Sequence, residues 1–117
     1  MAHIVIKKGH DLRIAGKPAR DVVVADPPRQ VALHPSEFRY VKPKMLVKEG
    51  DRVQRGTPLF FDKLDDRIRW ASPAGGTVVN IERGPRRRLD AIVIELESEE
   101  SVVEGTAYPP EQLASLE

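Results

Sequence analysis

The stretch "VKEGDRVQRGTPLFFDK", residues 47–63, decides the fold. Gly50-Asp51 and Gly56 are turn formers, and the apolar residues around them come in short bursts ending in "PLFFDK" (58–63). Nothing recurs at helical spacing, so the segment predicts strand, turn, strand. The same texture runs outward in both directions. Upstream lie "HIVIK" (3–7), "DVVVAD" (21–26), "QVAL" (30–33) and "MLVK" (45–48). Downstream lie "IRWAS" (68–72), "TVVNIE" (77–82) and "DAIVIELE" (90–97). Turn residues at Gly9, Gly16, Pro27-Pro28, Pro73, Gly75-Gly76 and Gly84 separate most of them. Many short strands with tight punctuation predict an all-β sandwich or barrel. In "DAIVIELE", Ile92, Ile94 and Leu96 take one face while Ala91 and Val93 take the other. A strand apolar on both faces belongs inside a sheet.

A weak internal repeat points the same way. Laying "EGDRVQRGTPLFFD" over "RGPRRRLDAIVIEL" sets Gly50 on Gly84, Leu59 on Val93 and Phe60 on Ile94. The fold expected is therefore two quasi-equivalent β motifs. The end of the chain differs. In "YPPEQLASLE", Pro110 suits a first helical turn, Glu111 suits the positive end of the dipole, and Leu113 and Leu116 share a face. So short a helix is marginal alone, and it is expected to be the stub of an element in something longer.

The 117 residues are one domain's length, and 40% hydrophobic with 32% charged residues mark a globular chain. Nineteen basic against 18 acidic side chains give a formal charge of +1, too little for a broad pull on nucleic acid or an anionic membrane. Cysteine is absent, which excludes a disulfide, a thiolate metal site and a thiol nucleophile. "MAHIVIKKG" lacks the apolar core of a signal peptide, and no apolar run reaches the ~18 residues of a membrane span.

Few residues carry chemistry. His3, His10 and His34 are irregularly spaced and have no cysteine beside them, so surface positions are expected rather than a metal site. Asp62, Asp65 and Asp66 fit a solvated turn better than a hard-cation site, which wants further oxygen ligands. "PAGGTVV" (73–79) has no helix after it to hold phosphate, so Gly75-Gly76 are expected to supply a positive-φ turn. Asp65-Asp66 is the most turn-prone pair of its hairpin, which puts the tip there and Lys63 on the rising strand. A lysine that carries a swinging cofactor needs the summit of a tight bend, full exposure and an acidic neighbour. Asp62 supplies the neighbour, but "LDDR" (64–67) displaces the summit. A surface lysine at a sheet edge is the first reading, and a lipoyl- or biotinyl-type carrier modified at Lys63 is the alternative.

"RGPRRR" (83–88) is the densest charge feature, with Arg67 and Arg69 expected nearby and Glu95, Glu97, Glu99 and Glu100 expected to neutralise part of it. A solvated loop competes with docking onto an acidic partner surface, where arginine forms paired bonds to carboxylates. Nucleic-acid binding ranks last, since aromatics are not interleaved with the charges. Arg83, Arg86, Arg87, Arg88 and Trp70 are the candidate docking residues. Trp70 is expected to be half buried in its own domain or at an interface.

Three stretches in fixed order, "KKGHDLRIAGKP" (7–18), "VALHPSEFRYVKPKMLVKEGDRVQRGTPLFFDK" (31–63) and "SPAGGTVVNIERGPRRRLDAIVIELE" (72–97), with the long hairpin between "DK" and "SPAGG", carry a family resemblance. They resemble the N-terminal region of the A subunit of bacterial Na+-translocating NADH:quinone oxidoreductases and, more distantly, the C subunit of the Rnf electron-transport complex. The sequence departs at the hairpin tip, "LDDRIRW", and at Gly75, where that family usually has an Asn-Pro-Gly type turn and a Ser. The resemblance implies a biotinyl-lipoyl-like barrel-sandwich hybrid in a peripheral, cytoplasm-facing subunit. It divides the chain into N-terminal strands and loops packing on the barrel (1–30), the barrel (31–97) and a tail with the helix stub (98–117). The parent complex uses NADH, quinone, flavins and iron–sulfur, and its partners are further subunits. The chain itself is expected to be non-catalytic, with no cofactor of its own, no metal, no nucleic acid and no membrane span.

Overall fold

In the computed structural model, residues 3–116 are described, and strands dominate them. Seven form: β1 (Gln30–Leu33), β2 (Pro43–Met45), β3 (Arg52–Val53), β4 (Pro58–Asp62), β5 (Asp65–Ala71), β6 (Gly76–Arg83) and β7 (Leu89–Leu96). They make two antiparallel sheets, one ordered β1-β7-β6-β3 and the other β2-β4-β5. This is the all-β barrel-sandwich architecture expected from the sequence. β7 lies between β1 and β6, as its two apolar faces require.

Val53, Val78, Leu89, Ile92 and Ile94 of the first sheet and Leu59 and Phe60 of the second form the buried core. Leu59 and Phe60 are adjacent yet both fully buried, which strict alternation forbids. A register shift between Pro58 and Phe60 accounts for it, turning the strand so that both side chains reach the interior. A second shift, between Val78 and Asn80, leaves Val78 buried and Val79 partly exposed. The repeat holds at the strand level: β4 and β7 are central in their sheets, and the matched Phe60 and Ile94 are both fully buried. It fails at the glycines, because Gly50 has φ +90° and Gly84 has φ −94°.

Three expectations are corrected. Residues 3–7 and 21–26 form no strand, and Ile4, Val5, Ile6, Val22, Val23 and Val24 are exposed. Strand propensity there meets no neighbouring backbone, and without a ladder it has nothing to pair. The Cα radius of gyration, 19.2 Å, exceeds the ~13 Å of a compact chain this long, because residues 3–28 lie outside the core. Second, the hairpin turns at Lys63-Leu64, where Asp62 pairs with Asp65, and not at Asp65-Asp66. The Asp62 carboxylate accepts the N–H of Leu64 at 3.1 Å and that of Lys42 at 3.3 Å, closing the bend early. Third, Gly75 and Gly76 do not take positive φ. Their value is close approach: a Cβ on Gly76 would strike the Glu95 carbonyl, and one on Gly75 would lie 2.8 Å from the Ser101 carbonyl oxygen. The helical stub expected after Pro110 is present as a 3-10 helix, Pro110–Ser115, with Leu113 and Leu116 exposed. The tail before it does pack, through Arg55 N–H to Ser101 O and Val103 N–H to Arg55 O, both at 2.9 Å.

Candidate functional site

Two loops and the hairpin tip enclose a groove of about 790 Å³. One wall is the run from Pro35 to Met45. It opens with a 3-10 turn, Pro35–Glu37, which packs on β7, and its Phe38 ring sits 5.4 Å from Trp70 and 6.5 Å from Phe60. The chain then swings through Tyr40 at φ +65° into β2. The facing wall is the β6–β7 connection. Gly84 N–H bonds the Arg88 carbonyl at 2.8 Å, Arg88 N–H bonds that of Pro85 at 3.2 Å, and Arg86 and Arg87 lie at φ +57° and +59°. Lys63 occupies one end, tied to the first wall by its N–H to the Lys42 carbonyl at 2.9 Å. Pro35, Val41, Met45 and Leu89 make the floor apolar.

The charge on the walls is one-sided. Arg39, Lys42 and Lys44 come from the first, Arg83, Arg87 and Arg88 from the second, and Lys63 from the end, with no acidic residue in the lining. Among the described residues only Arg88 of these seven is ion-paired, to Asp90 at 2.6 Å. That hydrogen bond raises the Arg88 pKa further, so it stays charged. The remaining ion pairs lie elsewhere: Arg52 with Glu97 (2.6 Å), Arg55 with Glu100 (3.2 Å) and Arg67 with Asp65 (2.7 Å). Of the four glutamates expected to neutralise the arginine loop, Glu97 and Glu100 thus pair with Arg52 and Arg55, and Glu95 and Glu99 form no ion pair among the described residues. Unpaired cations held together repel one another, and an anion in the groove relieves that repulsion.

The backbone adds a second asymmetry. Tyr40, Arg86 and Arg87 are the described non-glycine residues with positive φ, and all three belong to the loops that form the two walls. Such conformations cost about 1–3 kcal/mol each and persist where the surroundings impose them, commonly at binding sites.

Arg83, Arg87 and Arg88 of the expected docking set thus line the groove, while Arg86 shares their loop without lining it. Trp70 lies behind the wall on β5, half buried and stacked on Phe60 at 4.9 Å with an 8° tilt. Arg67 and Arg69 are on β5 too and do not line the groove; Arg69 Nε bonds the Asp66 carbonyl at 3.2 Å. Sequence reasoning missed Arg39, Lys42, Lys44 and the arrival of Lys63. The available signal was "RYVKPK" (39–44), three cations without a carboxylate. Among the described residues no group of three or more His, Asp or Glu is placed to hold a metal, and His34 Nδ1 donates to the Asp90 carbonyl at 3.1 Å.

Comparison with known proteins bears on this architecture. The family model described as the NqrA N-terminal barrel-sandwich hybrid domain matches residues 4–97. The chain belongs to this family. Relatives in it include the A subunit of the Na(+)-translocating NADH-quinone reductase of Hahella chejuensis (strain KCTC 2396), 44% identical over 113 residues. The corresponding proteins of Actinobacillus pleuropneumoniae serotype 5b (strain L20) and Pseudomonas aeruginosa (strain UCBPP-PA14) are 43% and 42% identical over 113 residues. Each alignment covers 97% of the chain but 25% of the relative, so the chain spans about a quarter of the length of these NqrA proteins. The barrel and both groove walls lie inside the matched NqrA domain.

Proposed function

We propose that the chain is the N-terminal assembly domain of an NqrA protein, the A subunit of Na(+)-translocating NADH-quinone reductase, docking other subunits through the cationic groove. It is non-catalytic in this reading. In this reading the complex passes electrons from NADH to quinone through flavin and iron–sulfur groups held elsewhere, and a chain without cysteine indeed offers no thiolates to a cluster. A cytoplasm-facing, peripheral position agrees with the finding that no helix among the described residues is long and apolar enough to cross a membrane. The observation that carries the proposal is the cationic lining, of whose seven cations only Arg88 is ion-paired among the described residues. Arginine-rich surfaces of this kind suit carboxylate-bearing partners.

Arg83→Glu with Arg87→Glu reverses two exposed charges and spares the Arg88–Asp90 pair. Placed in the full-length NqrA protein, this change should leave folding intact and reduce co-purification with the other subunits. Undiminished recovery of the complex would remove the groove from the docking role.

The position of Lys63 favours a second reading. The lysine is exposed at the summit of a two-residue turn, the geometry that a lipoyl- or biotinyl-type carrier needs. Its acidic neighbour is not accessible: Asp62 is 9% exposed and its carboxylate is taken up by backbone N–H groups. Intact mass of the protein from its native host distinguishes the two, because an adduct on Lys63 would install the carrier reading.

A further inference from the structure

We infer that the groove receives an extended acidic segment of another polypeptide, with an apolar side chain seated between its carboxylates. The inference rests on the docking reading and names the chemistry of the partner. Three observations define that chemistry. The walls present Arg39, Lys42, Lys44, Arg83, Arg87 and Lys63 without ion-pair partners among the described residues, so the occupant is anionic. The floor is apolar, built from Pro35, Val41, Met45 and Leu89, of which Val41 and Met45 are half-buried edges of the core. An inorganic polyanion would leave this floor wet, whereas a side chain placed there removes apolar surface from water. The charges are also spread over two facing walls rather than gathered on one helix end or nest. That spacing suits carboxylates distributed along an extended chain better than a single compact anion. The left-handed turns at Tyr40, Arg86 and Arg87 lie in the two loops that carry most of these charges.

The experiment titrates the protein with a fluorescein-labelled peptide Asp-Glu-Leu-Glu-Asp and with Asp-Glu-Ser-Glu-Asp. Tripolyphosphate and phosphatidylglycerol vesicles serve as competing anions. The leucine peptide should bind, and exchange of leucine for serine should weaken it about tenfold. Lys42→Glu with Arg87→Glu should weaken it about tenfold or more. Met45→Ser should erase the preference for leucine, with circular dichroism confirming that the variant is folded. Equal binding of both peptides would overturn the inference. So would binding of tripolyphosphate or vesicles while the peptides fail, or no binding at all. Co-purification of the full-length Arg83→Glu, Arg87→Glu variant reports the docking reading separately. Its loss without peptide binding sinks the acidic segment alone, and its retention with peptide binding sinks the docking role alone.

Discussion

Asp62 holds the hairpin that carries Lys63. Its buried carboxylate accepts the N–H groups of Leu64 and Lys42, so it ties the turn to the groove wall. Asp62→Ala leaves both donors short and should cost about 1–3 kcal/mol in denaturant unfolding. Asp65 works at the surface. A hydrogen bond from the Arg67 guanidinium, helped by the Arg67 backbone N–H, holds its carboxyl below the usual carboxylate range. The pair therefore adds stability above the ordinary pKa of about 3.9, and that contribution disappears as pH falls through the lower folded-state value. Asp65→Asn should flatten the dependence of unfolding on pH below about 4 and, at neutral pH, remove the small stability that this surface pair supplies. These two aspartates also explain why sequence places the turn two residues late. Both are good turn formers, and only the inward aim of Asp62, set by tertiary contacts, decides between them. Gly76 stands out in the sequence for a different reason from the one that matters: its lack of a side chain serves a close strand crossing, not a bend. Gly76→Ala should destabilise the barrel by about 1–3 kcal/mol, while Gly9→Ala, which meets nothing within 4 Å, should be silent in the same assay.

At the scale of elements, the strands that formed are those whose apolar residues find a neighbour. β4, β6 and β7 are legible because their Val, Ile, Leu and Phe runs are bounded by turn residues. "HIVIK" and "DVVVAD" carry the same composition, and composition alone does not say whether a pairing edge is available. The stack of Phe38, Trp70 and Phe60 joins the groove wall to the core. Phe60→Ala removes the largest fully buried side chain and should cost about 3–5 kcal/mol. The half burial of Trp70 follows from its residue type, but its partners come from distant segments and are invisible in the sequence. The groove is half legible for the same reason. The arginine loop stands out in one line of sequence, whereas its match to "RYVKPK" is created by folding.

The whole molecule separates a compact barrel from an exposed N-terminal stretch. Ile6, Val22 and Val24 are 82%, 94% and 93% exposed, so these residues add nothing to the core. Brief trypsin treatment should cut at Lys7, Lys8, Arg13 or Arg20 and leave the barrel resistant, with a melting temperature within about 2 °C of the uncut chain. A drop larger than that would show that this stretch supports the sheets.

The partner of β1 in the ladder is β7, the seventh strand in chain order. Roughly 60 residues of synthesis separate the two, about 3–12 s at ordinary translation rates. During that interval the nascent chain has Val31 and Leu33 translated but no strand to dock them on. The interior can close only after Leu96 has left the exit tunnel, so a pause in translation just before Leu89 would prolong the time in which chaperones must shield the emerging chain.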